Sequence, residues 1–317
     1  MLVDLPDAVL STNNSSVPLR AHVLQFKNPM TNLPNDFDAS FYRLQYADLA
    51  DLSDADLANH WTRHGASEGR SAAADFVRAD LIAWIGDRPA LEIGPFTTPT
   101  LRGGKVRYFD VADRDALLIR AREIGHPATD PVDIDYFHPT GDLSVIPDTF
   151  DIVFSSHCIE HQPDLVRHLV QVEALLNAQG AYALVIPDKR FCFDHFVAEK
   201  TIADVLQAHS ERRMTHTLKS VIEARALTSH NIPAKHWSGE HSVPIIALEP
   251  DAVQRAVKEF EAANGGYIDV HAWQFTPIGF RAIVDQLNRL GLIRLKAERV
   301  FATPHGCFEF CAVLRLD

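Results

Sequence analysis

The hydrophobic positions change period along the chain. Between residues 36 and 70, Phe41, Leu44, Tyr46, Leu49, Leu52, Leu57 and Trp61 recur at helical spacing, and Ser53 followed by Asp56 reads as a helix start. From about residue 76, short apolar runs take over. DLIAWIG reads as a helix end. PALEIG (89–94), KVRYFDV (105–111), PVDIDYF (131–137), FDIVFSS (150–156) and AYALVIP (181–187) read as strands. Between the last two, IEHQPDLVRHLVQVEALLNAQG is amphipathic and is expected to end as a helix on Gly180. TPIGFRAIVDQLNRLG (276–291) reads as a helix closed by Gly291, followed by a hairpin of LIRLKAERVF (292–301) and GCFEFCAVLRL (306–316). Strands joined through helices predict an α/β fold, a mostly parallel sheet with helices on both faces. Residues 1–30 look irregular, and 188–270 form an insertion rich in His, Arg and Lys after the fifth strand. The expected division is 1–75, an extension with a small helical module, and 76–317, the α/β domain.

Composition narrows the function classes. At 317 residues, 46% hydrophobic and 23% charged, the chain has a globular balance. It lacks an apolar run long enough for a membrane span, and its start lacks the basic-then-apolar order of a secretory leader. A net charge of -12 counts against nucleic acid as partner. The four cysteines, Cys158, Cys192, Cys307 and Cys311, form no CxxC pair. They are expected to be reduced, which fits the cytoplasm, and to hold neither a disulfide nor zinc.

The candidate chemistry lies at strand ends. Gly94 closes the first strand, where a residue without a side chain lets a ligand approach the backbone. Eighteen residues after Glu92, Asp110 ends the second strand, where a carboxylate can accept both hydrogen bonds of a ribose diol. Asp142 and Leu143, shortly before the fourth strand, offer an acid and an apolar face suited to adenine.

Together ALEIGP, YFDV, GDLSVIPDTFDIVFSSHCIEH and IPDKRFCFD resemble the class I, type 11-like S-adenosylmethionine-dependent methyltransferases. The resemblance covers residues 88–195, and 271–317 more loosely. It implies a Rossmann-like seven-stranded sheet with one antiparallel strand, and S-adenosylmethionine as cofactor. Carried over, Glu92, Gly94 and Pro95 lie near the methionine part; Asp110 and Val111 near the ribose; Asp142 and Leu143 at the adenine. Ser155, Ser156 and His157 cap the fourth strand, where cofactor meets acceptor. The sequence departs from the family in its first motif: Gly94 stands alone, and ten residues separate the first two strands, leaving no room for the usual helix. A phosphate-bearing cofactor needs that glycine loop; S-adenosylmethionine carries no phosphate.

Histidine is the natural base near neutral pH. Of sixteen, His157 is the first candidate, with Asp188 after the fifth strand to orient it or touch the acceptor. His161, one turn on, is expected to be structural and no metal is expected. His230, His236 and His241 lie in the insertion loop, and His271 starts HAWQFTP. Trp237 and Trp273 offer flat faces to a sugar. Residues 37–70, through Phe41-Tyr42, Tyr46-Ala-Asp48-Leu49, His60-Trp61, His64-Gly65 and Glu68-Gly69-Arg70, resemble a short module found beside enzymes of bacterial glycan biosynthesis. That implies O-methylation of a carbohydrate, with a natural product or other small molecule as the alternative acceptor. A nicotinamide oxidoreductase and a non-catalytic binding module in glycan assembly are the rival classes. The helical insertion could form a homodimer.

Overall fold

The computed structural model describes residues 37–317, apart from 69, 71, 127, 129 and 243–249. The irregular segment expected over 1–30 and the end of the loop TSHNIPAKHWSGEHSVP lie outside the described residues.

Residues 37–70 fold into α1 (Ala39–Gln45) and α2 (Asp54–His60), with the Ser53 side chain capping α2 through the Asp56 N–H. Tyr42, Leu49 and Leu57 form their small core. The module's marked residues hold the module itself. Arg70 pairs with Asp48 and Glu68, and the Tyr42 hydroxyl meets His60 Nδ1 at 3.1 Å. A Cβ at Gly65 would stand 2.2 Å from that hydroxyl, so only glycine fits there.

The α/β domain runs α3 (Arg78–Ile85), β1 (Ala90–Ile93), β2 (Val106–Asp110), α4 (Arg114–Glu123), β3 (Tyr136–Phe137), β4 (Phe150–Ser156), α5 (Leu165–Ala174) and β5 (Leu176–Pro187). Then come α6 (Ile202–Ser210), α7 (Leu218–Ala226), α8 (Pro233–Trp237), α9 (Pro250–Ala263), α10 (Pro277–Arg289), β6 (Leu295–Val300) and β7 (Glu309–Leu316). The seven strands lie in the order β3-β2-β1-β4-β5-β7-β6. Pairings among β1 to β5 are parallel, and β7 runs antiparallel to both neighbours. Strand alternation divides the core. Leu91, Ile93, Val153, Leu184 and Leu314 pack under α5, α6 and α10, while Ala90, Ile152, Phe154, Ala183 and Val313 pack with Leu81 and Ile85 of α3.

Three boundaries differ from expectation. The third strand shrinks to two residues at the sheet edge, because Asp135 turns its carboxylate onto the Tyr108 N–H at 2.9 Å. The helix expected to reach Gly180 stops at Ala174, and β5 starts at Leu176. Gly180 serves a register shift in the β4–β5 pairing, where a Cβ would stand 3.0 Å from the Phe150 carbonyl. The insertion contributes to the domain's interior: Val205 and Ala208 of α6 belong to the main core. No described helix is long and apolar enough to cross a membrane.

Candidate active site

The strand order reverses between β1 and β4, and the crevice beyond their carboxyl ends is where open α/β sheets bind ligands. The β1–β2 connection, 94–105, contains no helix. Glu92 holds this loop in place: the Thr100 and Leu101 N–H groups each donate to its carboxylate at 2.8 Å. With both oxygens engaged and the residue 2% exposed, Glu92 shapes the loop rather than facing a ligand. Burial is the largest influence on its carboxyl and pushes it up to about 7, against the two N–H groups.

Gly94 is exposed at the crevice with φ 72°, and a Cβ there would meet Cys158 Sγ at 3.4 Å. Asp110 is buried at the tip of β2, its pKa raised by burial. The Phe96 N–H donates to Oδ2 at 2.9 Å and the Val111 N–H to Oδ1 at 2.7 Å. Each oxygen keeps a second lone pair for a ligand. Phe96 has a positive φ of 49°, a strained value for a non-glycine residue. Pro95 is buried behind Gly94, and Val111 is exposed beside Asp110.

His157 follows β4 directly, with φ 50°. Its Nε2 stands 2.7 Å from Glu309 Oε2, and Arg78 grips the same carboxylate through two bonds, at 3.0 and 2.6 Å. Burial opposes ionisation of Glu309, but the bonds from His157 and Arg78 prevail and hold it down to about 2. Ser156 is half-buried beside His157.

Four expected site residues turn inward or aside. Asp188 is fully buried; Thr303 donates to it at 2.6 Å and Arg190 makes a salt bridge at 2.6 Å. It therefore neither orients His157 nor reaches an acceptor. Ser155 is buried on the core face, its hydroxyl bonded to Tyr182, which in turn meets His168. Leu143 packs in the main core and has no face left for adenine. Asp142 is tied to α5 through Gln171 and Arg167; burial would raise its pKa, but Ser144 first, then Arg167 and Gln171, together lower it. Trp273 is buried with its N–H on the Gln162 carbonyl. Trp237 stacks on Phe191, centroids 3.9 Å apart. Both tryptophans pack against the protein, and neither is an open platform for a sugar.

Glu160, beyond the end of β4, was not singled out by the sequence. It is fully buried, and neither carboxylate oxygen has a hydrogen-bond partner among the described residues. Its backbone carbonyl accepts from Ala272 N–H at 2.7 Å and Trp273 N–H at 3.1 Å, which draws His271 to it. Nε2 of His161 and Nε2 of His271 each lie 3.9 Å from Glu160 Oε1, and His157 Nδ1 lies 3.7 Å away. A second histidine group, His195, His236 and His241, lies in the insertion. There His195 and His241 stack face to face and the Nδ1 atoms of His236 and His241 meet at 3.1 Å, so these rings answer one another. An open cleft of about 550 Å³ among Arg102, Arg107, Arg114 and Asp133 lies at the other end of β2 and holds none of these residues.

Neither a family model nor a curated protein matches the chain. Among solved structures it is similar to the methyltransferase CalH in complex with SAH, at 14% identity and TM-score 0.33, covering 73% of this chain and 51% of that one. It is similar to the CcbJ methyltransferase from Streptomyces caelestis, at 13% identity and TM-score 0.34, covering 75% and 92%. It is also similar to a Zn-dependent alcohol dehydrogenase from Rhodobacter sphaeroides, at 11% identity and TM-score 0.36, covering 77% and 91%. The chain spans about half the length of CalH.

Proposed function

We propose that residues 76–317 form an S-adenosylmethionine-dependent O-methyltransferase acting on a small hydroxylated acceptor. The observation that carries this reading is Asp110 at the tip of β2, with lone pairs to spare, facing the crevice opened by side-chain-free Gly94. The cofactor's fit rests on charge as well. Asp110 and Glu160 place carboxyl groups beyond the ends of β2 and β4. That suits a sulfonium with an ammonium and repels phosphates, which would need the glycine loop and helix N-terminus missing after β1. A nicotinamide cofactor is disfavoured by that missing glycine loop, not by Asp110, since an acid at the end of β2 accepts the ribose of either cofactor.

When bound, the cofactor supplies an activated methyl, whose bond to sulfur breaks, the pair returning to sulfur, as the acceptor oxygen bonds to carbon. The chain's residues then have two tasks. One is to hold the acceptor oxygen in line. The other is to take its proton. Donation of His157 Nε2–H to Glu309 fixes the tautomer that leaves a lone pair on Nδ1. Nδ1 faces Glu160, so the proton is taken on that side. A carbohydrate is the first acceptor class to test, because residues 37–70 resemble a module of glycan-assembly proteins. Calorimetry with S-adenosylmethionine and with NAD decides the cofactor. Heat and thermal protection with the first alone are expected. The reverse pattern, or silence with both, would remove the reading.

A further inference from the structure

We propose that Glu160, His161 and His271 bind a divalent transition-metal ion of the zinc class beside the crevice. The starting point is an unmet electrostatic demand. Glu160 is fully buried with neither carboxylate oxygen hydrogen-bonded among the described residues. An uncompensated buried carboxylate is strongly disfavoured, and buried charges are paired or coordinate metals.

The surrounding groups answer that demand as ligands do. One donor atom each from Glu160, His161 and His271 lies within 4.8 Å of the others. Donors around a tetrahedral zinc at about 2.0–2.1 Å stand roughly 3.4 Å apart; the two Nε2 atoms lie 3.9 Å from Glu160 Oε1, within a small side-chain rotation of that spacing. The two imidazoles meet edge to face at 90°, so they do not block each other by stacking.

Behind each ring stands a second carboxylate. Nδ1 of His271 meets Asp194 at 2.6 Å, and Nδ1 of His161 lies 3.2 Å from Asp269. For His271, a proton held on Nδ1 by Asp194 leaves the Nε2 lone pair turned toward Glu160, the arrangement that carboxylates impose on metal-binding histidines; His161 Nδ1 is near Asp269 without a formed hydrogen bond. Arg120 answers Asp269 from 3.9 Å, which leaves Glu160 and Asp194 as the buried carboxylates that a bound cation would balance. Two nitrogens and one oxygen select a borderline transition ion over magnesium or calcium, which take oxygen ligands.

What the ion would do rests on the methyltransferase reading: it would bind the acceptor hydroxyl and lower its pKa, leaving His157 Nδ1 to take the proton. Binding itself does not depend on that reading, and the experiment separates the two. Chelator-treated protein is titrated with Zn²⁺ by calorimetry and with Co²⁺ by visible absorption, without any methyl donor. One equivalent with a cobalt d–d band is expected. Glu160→Gln and His271→Ala should each abolish it. Asp194→Asn, which keeps the ring's surroundings intact in shape, should weaken it about 10–100-fold. His236→Ala, in the insertion cluster, should leave it intact. Parent-like binding in folded Glu160→Gln and His271→Ala, or no cobalt band in the parent, would overturn the site. Should either variant fail to fold, Asp194→Asn decides: parent-like cobalt affinity there overturns the site. Metal binding without S-adenosylmethionine binding keeps the site and removes the methyltransferase reading; the opposite result does the reverse.

Discussion

His157, just after β4, and Glu309, at the start of β7, are 152 positions apart in the chain and 2.7 Å apart in space. Arg78 at the head of α3 completes the contact. An imidazole, the carboxylate it meets and a cation that helps keep that carboxylate ionised thus come from three distant segments.

Removal of the base should slow chemistry without loosening the cofactor. His157→Ala should reduce kcat about 10²–10⁴-fold, the usual worth of general base catalysis. Glu309→Gln should lower kcat less and flatten the pH–rate profile, because the imidazole loses its orienting charge. Steady-state rates with S-adenosylmethionine binding measured in parallel check this; unchanged turnover in His157→Ala would exclude it as base.

Asp110 makes the strongest binding prediction. Loss of charge-assisted bonds to a ribose should cost about 2–3 kcal/mol, roughly 30–150-fold in Kd. Calorimetry on Asp110→Asn and Asp110→Ala measures it, and wild-type affinity in Asp110→Ala would show that the ribose lies elsewhere.

Glu92 predicts a pH dependence of stability. Burial holds its carboxyl at about 7 in the folded chain, against about 4.3 unfolded. The folded state therefore keeps a proton that the unfolded state has released. The stability from this group is present in full below about pH 4 and is lost as pH rises through 7, about 4 kcal/mol in all. Glu92→Gln cannot titrate. Relative to the parent, it should gain about that much between pH 4 and 8 in urea unfolding. Parallel profiles would mean Glu92 ionises normally.

Asp188 should matter to the fold and not to the chemistry. Asp188→Ala strands the hydroxyl of Thr303 and releases half-exposed Arg190, which should cost about 2–3 kcal/mol. In the folded fraction kcat should stay near the parent value. A large fall in kcat with unchanged stability would restore Asp188 to the site.

The architecture was legible because it depends on local pattern. Apolar runs such as PALEIG and FDIVFSS, separated by amphipathic helices, specify a parallel sheet wherever they occur. Turn chemistry was legible for the same reason at Ser53 and Gly94. Errors clustered where one residue serves two elements. Gly180 looked like a helix end, yet its lack of a Cβ is demanded by the Asn177 carbonyl at 2.9 Å and the Phe150 carbonyl on the neighbouring strand at 3.0 Å. Leu143 looked like a ligand face, yet the core claims it.

The sequence by itself determined the sheet, its hairpin, the short β1–β2 loop, and the strand ends at which Gly94, Asp110 and His157 stand. Tertiary structure decided the partners. Asp188 and His157 both follow core strands at the same edge, but Asp188 is buried against Thr303 and Arg190 while His157 meets Glu309. Glu160 and His271 are 111 residues apart and meet because two backbone N–H groups bond to the Glu160 carbonyl. Periodicity records which way a side chain faces; it does not record which distant side chain will be waiting there, because that depends on the packing of the whole chain.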